Sequence, residues 1–248
     1  MIISISTGSV RQACENTSKA IKLIQKQFGE QIQGIELCFM LKQELDEFTL
    51  DEESIKFLDA LQFNTLHAPV IGLDYGRNGE TREIMQKIRK INSQVTLKQI
   101  TFHPNHVSDF SVLVESGLNV CVENLPDGKT RKGWQFPGEF QKFFSKWGGF
   151  GFCFDVNHAM ANGAKPVEFI SMFDKKIEYI HLNATAQSGN ADHALLTESS
   201  PETIEKIKPV LALNKPFVIE VNINKEKTPL IKKEISLIKT LEQQAKEE

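Results

Sequence analysis

Four of the six histidines in this 248-residue chain, together with three of its acids, stand in one kind of place: at or just past the end of a short apolar run of β-forming residues. Asn64-Thr65-Leu66 leads to His67, Gln99-Ile100-Thr101-Phe102 to His103, and Asn119-Val120-Cys121-Val122 to Glu123. Gly151-Phe152-Cys153-Phe154 leads to Asp155, with His158 three residues later; Ile177-Glu178-Tyr179-Ile180 leads to His181, and Pro216-Phe217-Val218-Ile219 to Glu220. His193 follows on the polar stretch after His181. Glu123, Asp155, His181 and Glu220 form an oxygen-rich set with one imidazole, suited to Mn²⁺, Mg²⁺, Co²⁺ or Zn²⁺. Adding His67, His103, His158 and His193 brings in more nitrogen, makes room for up to three ions and shifts the preference towards zinc.

Taken singly, each residue has a plainer reading. A lone histidine is more often a satisfied core or loop residue, and a lone Asp155 at a strand end is more often a helix cap. Jointly those readings fail, because gathering this many ionisable groups without a cation leaves buried charges unpaired.

The elements that must position them follow from periodicity. Eight short β-type runs begin with residues 2–6 and 34–39, and most are followed by a stretch with helical spacing. Ile21, Ile24 and Phe28 give the first helix its apolar face, Ile84, Ile88 and Ile91 a later one, and Leu230 to Leu241 the last, with a charged tail, 242–248, expected to fray. Eight strands with intervening helices are the arithmetic of a single (β/α)8 TIM barrel over residues 1–248, in which C-terminal strand ends converge on one face. No linker or second composition regime interrupts the chain.

Glu36, an acid among apolar residues mid-strand, is expected to point into an enclosed space, either bonding a neighbouring strand or contacting substrate. Lys129, Arg131 and Lys132 could hold a substrate phosphate, although a Pro-, Asp- and Gly-rich turn with exposed lysines is the blander account. The net charge of -3 argues against a partner held through many phosphates, so nucleic acid is disfavoured without being excluded. Four widely spaced cysteines read as small buried apolar residues rather than disulfides or a thiolate zinc site. With no charged leader and no apolar run of membrane-spanning length, a cytoplasmic location without membrane association is the default expectation.

These residues resemble those of the xylose isomerase-like barrels, which include sugar isomerases and epimerases and the endonuclease IV type of apurinic endonuclease. The resemblance rests on Glu123-Asn124, Asp155-x-x-His158, His181 and Glu220, and spans nearly the whole chain. It implies Glu123, Asp155, His181 and Glu220 as metal ligands, with His158 touching substrate. The endonuclease branch adds His67-Ala68-Pro69 and His103-Pro104, both present, and a later Asp-x-His, from which this chain departs: Ala191 stands where the aspartate should be and Asp192 one residue late.

Three functions are consistent with this pattern. The first is isomerisation or epimerisation of a small sugar or sugar phosphate through a metal-stabilised enediolate, with Glu123 and Glu220 exchanging a carbon-bound proton. The second is zinc-dependent phosphoester hydrolysis, with His67, His103 and His158 as further ligands. The third is a barrel that only binds a metabolite. Charge and short loops favour the first.

Overall fold

A computed structural model of the chain describes residues 1–126, 133–185 and 193–247. Eight strands close into one barrel in which every neighbouring pair is parallel and sequential, with the eighth returning to the first. The strands are β1 (Ile3–Ser6), β2 (Gly34–Cys38), β3 (Asn64–His67), β4 (Leu97–Phe102), β5 (Val120–Glu123), β6 (Gly151–Asp155), β7 (Ile177–Leu182) and β8 (Phe217–Ile219). Around them run α1 (Thr17–Phe28), α2 (Lys42–Glu47), α3 (Glu52–Ala60), α4 (Gly79–Gln94), α5 (Ser111–Val114), α6 (Pro137–Lys146), α7 (Val156–Ala161), α8 (Pro166–Phe173), α9 (Pro201–Leu211) and α10 (Ile231–Glu247). This is the (β/α)8 TIM barrel that the strand count anticipates.

Local chemistry sets the element boundaries. Asn16, Asp51, Asn78 and Ser200 each accept a backbone N–H from the first turn of the helix they precede, satisfying a donor the helix itself cannot. Pro137, Pro166 and Pro201 open α6, α8 and α9, where a missing N–H costs nothing. At Gly34 a Cβ would lie 1.9 Å from the Phe63 carbonyl oxygen, so only glycine lets β2 pack here.

The period-2 alternation of the strands divides their side chains between two environments. Ile35, Leu66, Ile100, Phe102, Val122, Phe152, Phe154, Ile180, Phe217 and Ile219 join the helix faces in one continuous apolar layer. Cys121, Cys153, Tyr179 and Val218 form a separate small cluster with Phe63. The next residues of matching parity, Glu123, Asp155, His181 and Glu220, stand one step nearer the C-terminal strand ends. The site is therefore the upper polar layer of the barrel interior.

Two details differ from the sequence reading. β1 runs into a 3-10 helix, Thr7–Ala13, before α1, and α10 continues to Glu247 instead of fraying after Leu241. Ala245 still packs on the apolar core, which gives the last turn a reason to stay wound. Among the described residues, no helix is long and apolar enough to cross a membrane.

Candidate metal centre

Parallel registry aligns the chemistry. Asp155 lies opposite His181, and Cys38 opposite His67, so neighbouring strand tips deliver their side chains at one height. Ligand atoms of Glu123, Asp155, His181 and Glu220 all lie within 4.8 Å of one another. Two further triads, His67, His103 and Glu123, and Asp155, His158 and His193, meet the same limit. All eight candidate ligands thus surround one space, and Glu123 and Asp155 are each shared between groups.

Glu123 is the hub. Its Oε2 lies 3.3 Å from His67 Nε2 and from His103 Nε2, and its Oε1 lies 3.2 Å from His181 Nδ1. Burial opposes its ionisation, but His181, His103 and His67 outweigh that and hold the carboxyl well below its usual range. Burial likewise disfavours the Glu220 carboxylate, and His181 and His193 more than compensate, so it too stays ionised. Asp155 goes the other way, raised chiefly by burial. Burial alone would lower His181, yet Cys153 and the carboxylates of Glu220, Glu36 and Glu123 lift it well above the usual imidazole value.

Ring orientation is fixed from behind. The His67 Nδ1–H donates to the Ala68 carbonyl at 3.0 Å, which turns Nε2 towards His103 Nε2 at 3.0 Å and Glu123 Oε2 at 3.3 Å. The His158 Nδ1–H donates to the Asn124 carbonyl at 2.8 Å, leaving Nε2 free. Asp155 caps α7, its Oδ1 accepting the His158 backbone N–H at 2.7 Å. Its Oδ2 accepts from Asn183 Nδ2 at 2.8 Å and lies 3.8 Å from His193 Nε2. Asn124 grips the Asp155 backbone at both N–H and C=O, 2.8 and 2.7 Å away, joining the ends of β5 and β6.

The donor set fits a cation. Glu220 Oε2 is buried with no aligned hydrogen-bond donor among the described residues, although His181 Nδ1 is 2.9 Å away. Carboxylates and ring nitrogens converging on one space are the donor set that a divalent cation would satisfy. Cys153 is close enough to offer sulfur, but burial disfavours the thiolate and pushes its thiol up to about 12.

Above the cluster opens a cavity of about 390 Å³, lined by His67, His103, Glu123, His158, His193 and Glu220 on the ligand side. Gly8, Arg11, Gln12 and Asn222 line it as well, and Gln12 Nε2 donates to Asn222 Oδ1 at 3.0 Å. Arg11 is the only lysine or arginine in this lining among the described residues. The sequence alone does not single it out, because a lone arginine in a turn after β1 carries no pattern.

Glu36 is absent from the cavity wall and fully buried, bonded to Thr65, Tyr179 and His181. Of its two anticipated roles, this geometry favours the one that bonds strands, linking β2 to Thr65 of the neighbouring β3 and, across the barrel, to Tyr179 and His181 of β7. His106, beside His103 in sequence, turns away to the Leu73 carbonyl. Lys129, Arg131 and Lys132, and the Ala191-Asp192 departure, lie outside the described residues. His193 adopts φ 55°, the left-handed region that few non-glycine residues enter, as it turns towards the site.

The closed parallel barrel is a fold this chain shares with several solved structures. Among solved structures, the chain is similar to a D-tagatose 3-epimerase-like protein, at 19% identity, covering 97% of this chain and 99% of that one, with a TM-score of 0.65. It is similar to endonuclease IV from Thermus thermophilus, at 15% identity, 98% and 100% coverage and a TM-score of 0.69. An IolI protein with a binding zinc atom matches at 14% identity, 99% and 98% coverage and a TM-score of 0.67. No family model matches the sequence, and no curated protein matches it. At such identities the likeness is one of fold.

Proposed function

We propose that this chain is a divalent-metal-dependent isomerase or epimerase of a small sugar or sugar phosphate. The observation that carries the reading is the pair of carboxylates, Glu123 and Glu220, flanking His181 Nδ1 at 3.2 and 2.9 Å on the floor of a cavity of about 390 Å³. Glu123, Asp155, His181 and Glu220 would hold the ion, which supplies Lewis-acid polarisation of substrate oxygens. Such a cavity is of the size that encloses one small polar molecule. Glu123 and Glu220, kept ionised by their imidazole neighbours, are poised to take a proton from a carbon next to a carbonyl and to return it. His158, with Nε2 free, is placed to hydrogen-bond a substrate hydroxyl. The epimerase-like and zinc-bound neighbours are in keeping with this reading.

Protein supplied with Mn²⁺ should wash solvent deuterium into a ketose or ketose phosphate. Absence of exchange across a broad panel of both would overturn the proposal.

A second reading, hydrolysis of a phosphoester, is favoured by one specific observation: the triad His67, His103 and Glu123, which could hold a second ion beside the first. Against it stand the net charge of -3 and a described cavity wall with a single cation, Arg11. Metal stoichiometry separates the two: one ion per chain suits isomerisation, two or three suit hydrolysis.

A further inference from the structure

Glu36 lies in the middle of β2, with no solvent exposure and no contact with the cavity. An acid there needs a reason, since burying a carboxylate is costly unless donors surround it. Its Oε2 is approached by three: His181 Nε2 at 2.9 Å, Tyr179 Oη at 3.2 Å and Thr65 Oγ1 at 3.3 Å. Tyr179 Oη is also in contact with Thr101 Oγ1. When the Tyr179 hydroxyl gives its proton to Glu36, Thr101 must donate to Tyr179, so the whole chain of hydroxyls runs towards Glu36. That direction defines Glu36 as an acceptor and requires a proton on His181 Nε2.

The other ring nitrogen of His181 faces two carboxylates, Glu123 Oε1 at 3.2 Å and Glu220 Oε2 at 2.9 Å. We infer that Glu36 is a positioning residue for the metal centre: by accepting the Nε2–H of His181 it fixes the ring's rotation and tautomer, presenting the Nδ1 lone pair to a divalent ion. Carboxylate-histidine-metal arrangements of this kind orient the ligand and raise its basicity. Glu36 is the carboxylate that accepts from His181 Nε2, so losing this acceptor leaves the ring free to flip and to expose either nitrogen. The second oxygen of Glu36 has no hydrogen-bond partner among the described residues, so little besides these three donors holds the carboxylate in place. Thr65 and Tyr179 thereby act on the metal ligand through Glu36. This inference rests on the metal-dependent reading above.

The test uses full-length protein, stripped with a chelator and titrated with Zn²⁺ or Mn²⁺ in competition with a chromophoric chelator. Glu36→Gln keeps the volume but loses the charge and the pure acceptor, and its metal affinity should fall by about 10- to 100-fold. Nitrogen-15 imidazole spectra of the Zn²⁺-loaded wild type, with His181 assigned by its loss in His181→Asn, should show a proton on Nε2 and metal on Nδ1. That second measurement holds even if Glu36→Gln folds poorly. A wild type that binds metal while Glu36→Gln binds it equally tightly, or a loaded His181 protonated on Nδ1, overturns this inference alone. A wild type that binds no divalent ion overturns the metal reading and this inference with it.

Discussion

Among individual residues, the division of labour is set by what stands behind each ligand. In the proposed reaction Glu220 acts as a base, a role that suits a carboxylate whose ionised form His181 and His193 favour against burial and whose side chain is 18% exposed. Glu220→Gln should therefore cut deuterium exchange into substrate by about 100-fold or more, read by mass spectrometry of recovered ketose. Exchange at the wild-type rate would remove Glu220 from the chemistry. Arg11 stands apart from this layer, 3.7 Å from Glu44 and lining the cavity. If the substrate carries a phosphate, Arg11→Ala should raise KM for it by about tenfold or more, leaving the neutral sugar unaffected. Equal KM changes for both would assign Arg11 to the wall rather than to an anion. The sequence made most of the candidate ligands legible, because all but His158 and His193 end a strand-like run. It left Arg11 and Asn124's grip on Asp155 unseen, because both are contacts between chain segments with no periodic trace.

Among the elements, the loops after the strands matter less than the strands that aim them. β5 and β6 are joined at their tips by the Asn124 side chain, whose two hydrogen bonds to the Asp155 backbone are buried. Asn124→Ala strands both groups and should cost about 2 kcal/mol or more in urea unfolding, with weaker metal binding as the β6 tip loosens. Unchanged stability would mean that the tips hold themselves. Strand identity was readable because a run such as Phe152-Cys153-Phe154-Asp155 alternates between an outer apolar layer and an inner small one. The 3-10 turn Thr7–Ala13 was not, since its buried Thr7, Ser9 and Val10 follow neither a 3.6- nor a 2-residue period. The extension of α10 to Glu247 depends on packing of Ala245, which local charge content conceals.

At the scale of the whole molecule, the barrel interior concentrates carboxylates and imidazoles that titrate against one another, and this makes stability depend on pH in a particular direction. In metal-stripped protein, the depressed pKa values of Glu123 and Glu220 contribute stability that is present above their unfolded value, about 4.3, and lost as pH falls through the folded ones. Asp155, raised by burial, takes part of that gain back above its own unfolded value of about 3.9. His181, raised, contributes stability fully present below about 6.5 and lost as pH rises through its folded value. The stripped protein should thus melt at progressively lower temperature as pH rises above about 6.5, and a divalent ion should abolish that decline by replacing the imidazolium charge. A thermal-melt series with and without chelator reads this directly, and superimposable profiles would contradict it. Closure of eight strands, each bringing its tip to one rim, could be counted from the sequence; which lone pairs face one another across that rim could not, because it depends on strand register and ring rotation.

The most direct test of the central claim is anomalous diffraction from crystals soaked in Zn²⁺. The account predicts a peak bounded by Glu123, Asp155, His181 Nδ1 and Glu220, at ligand distances of about 2.0–2.2 Å. Density showing those four side chains closed on one another with no ion between them at saturating metal would contradict it.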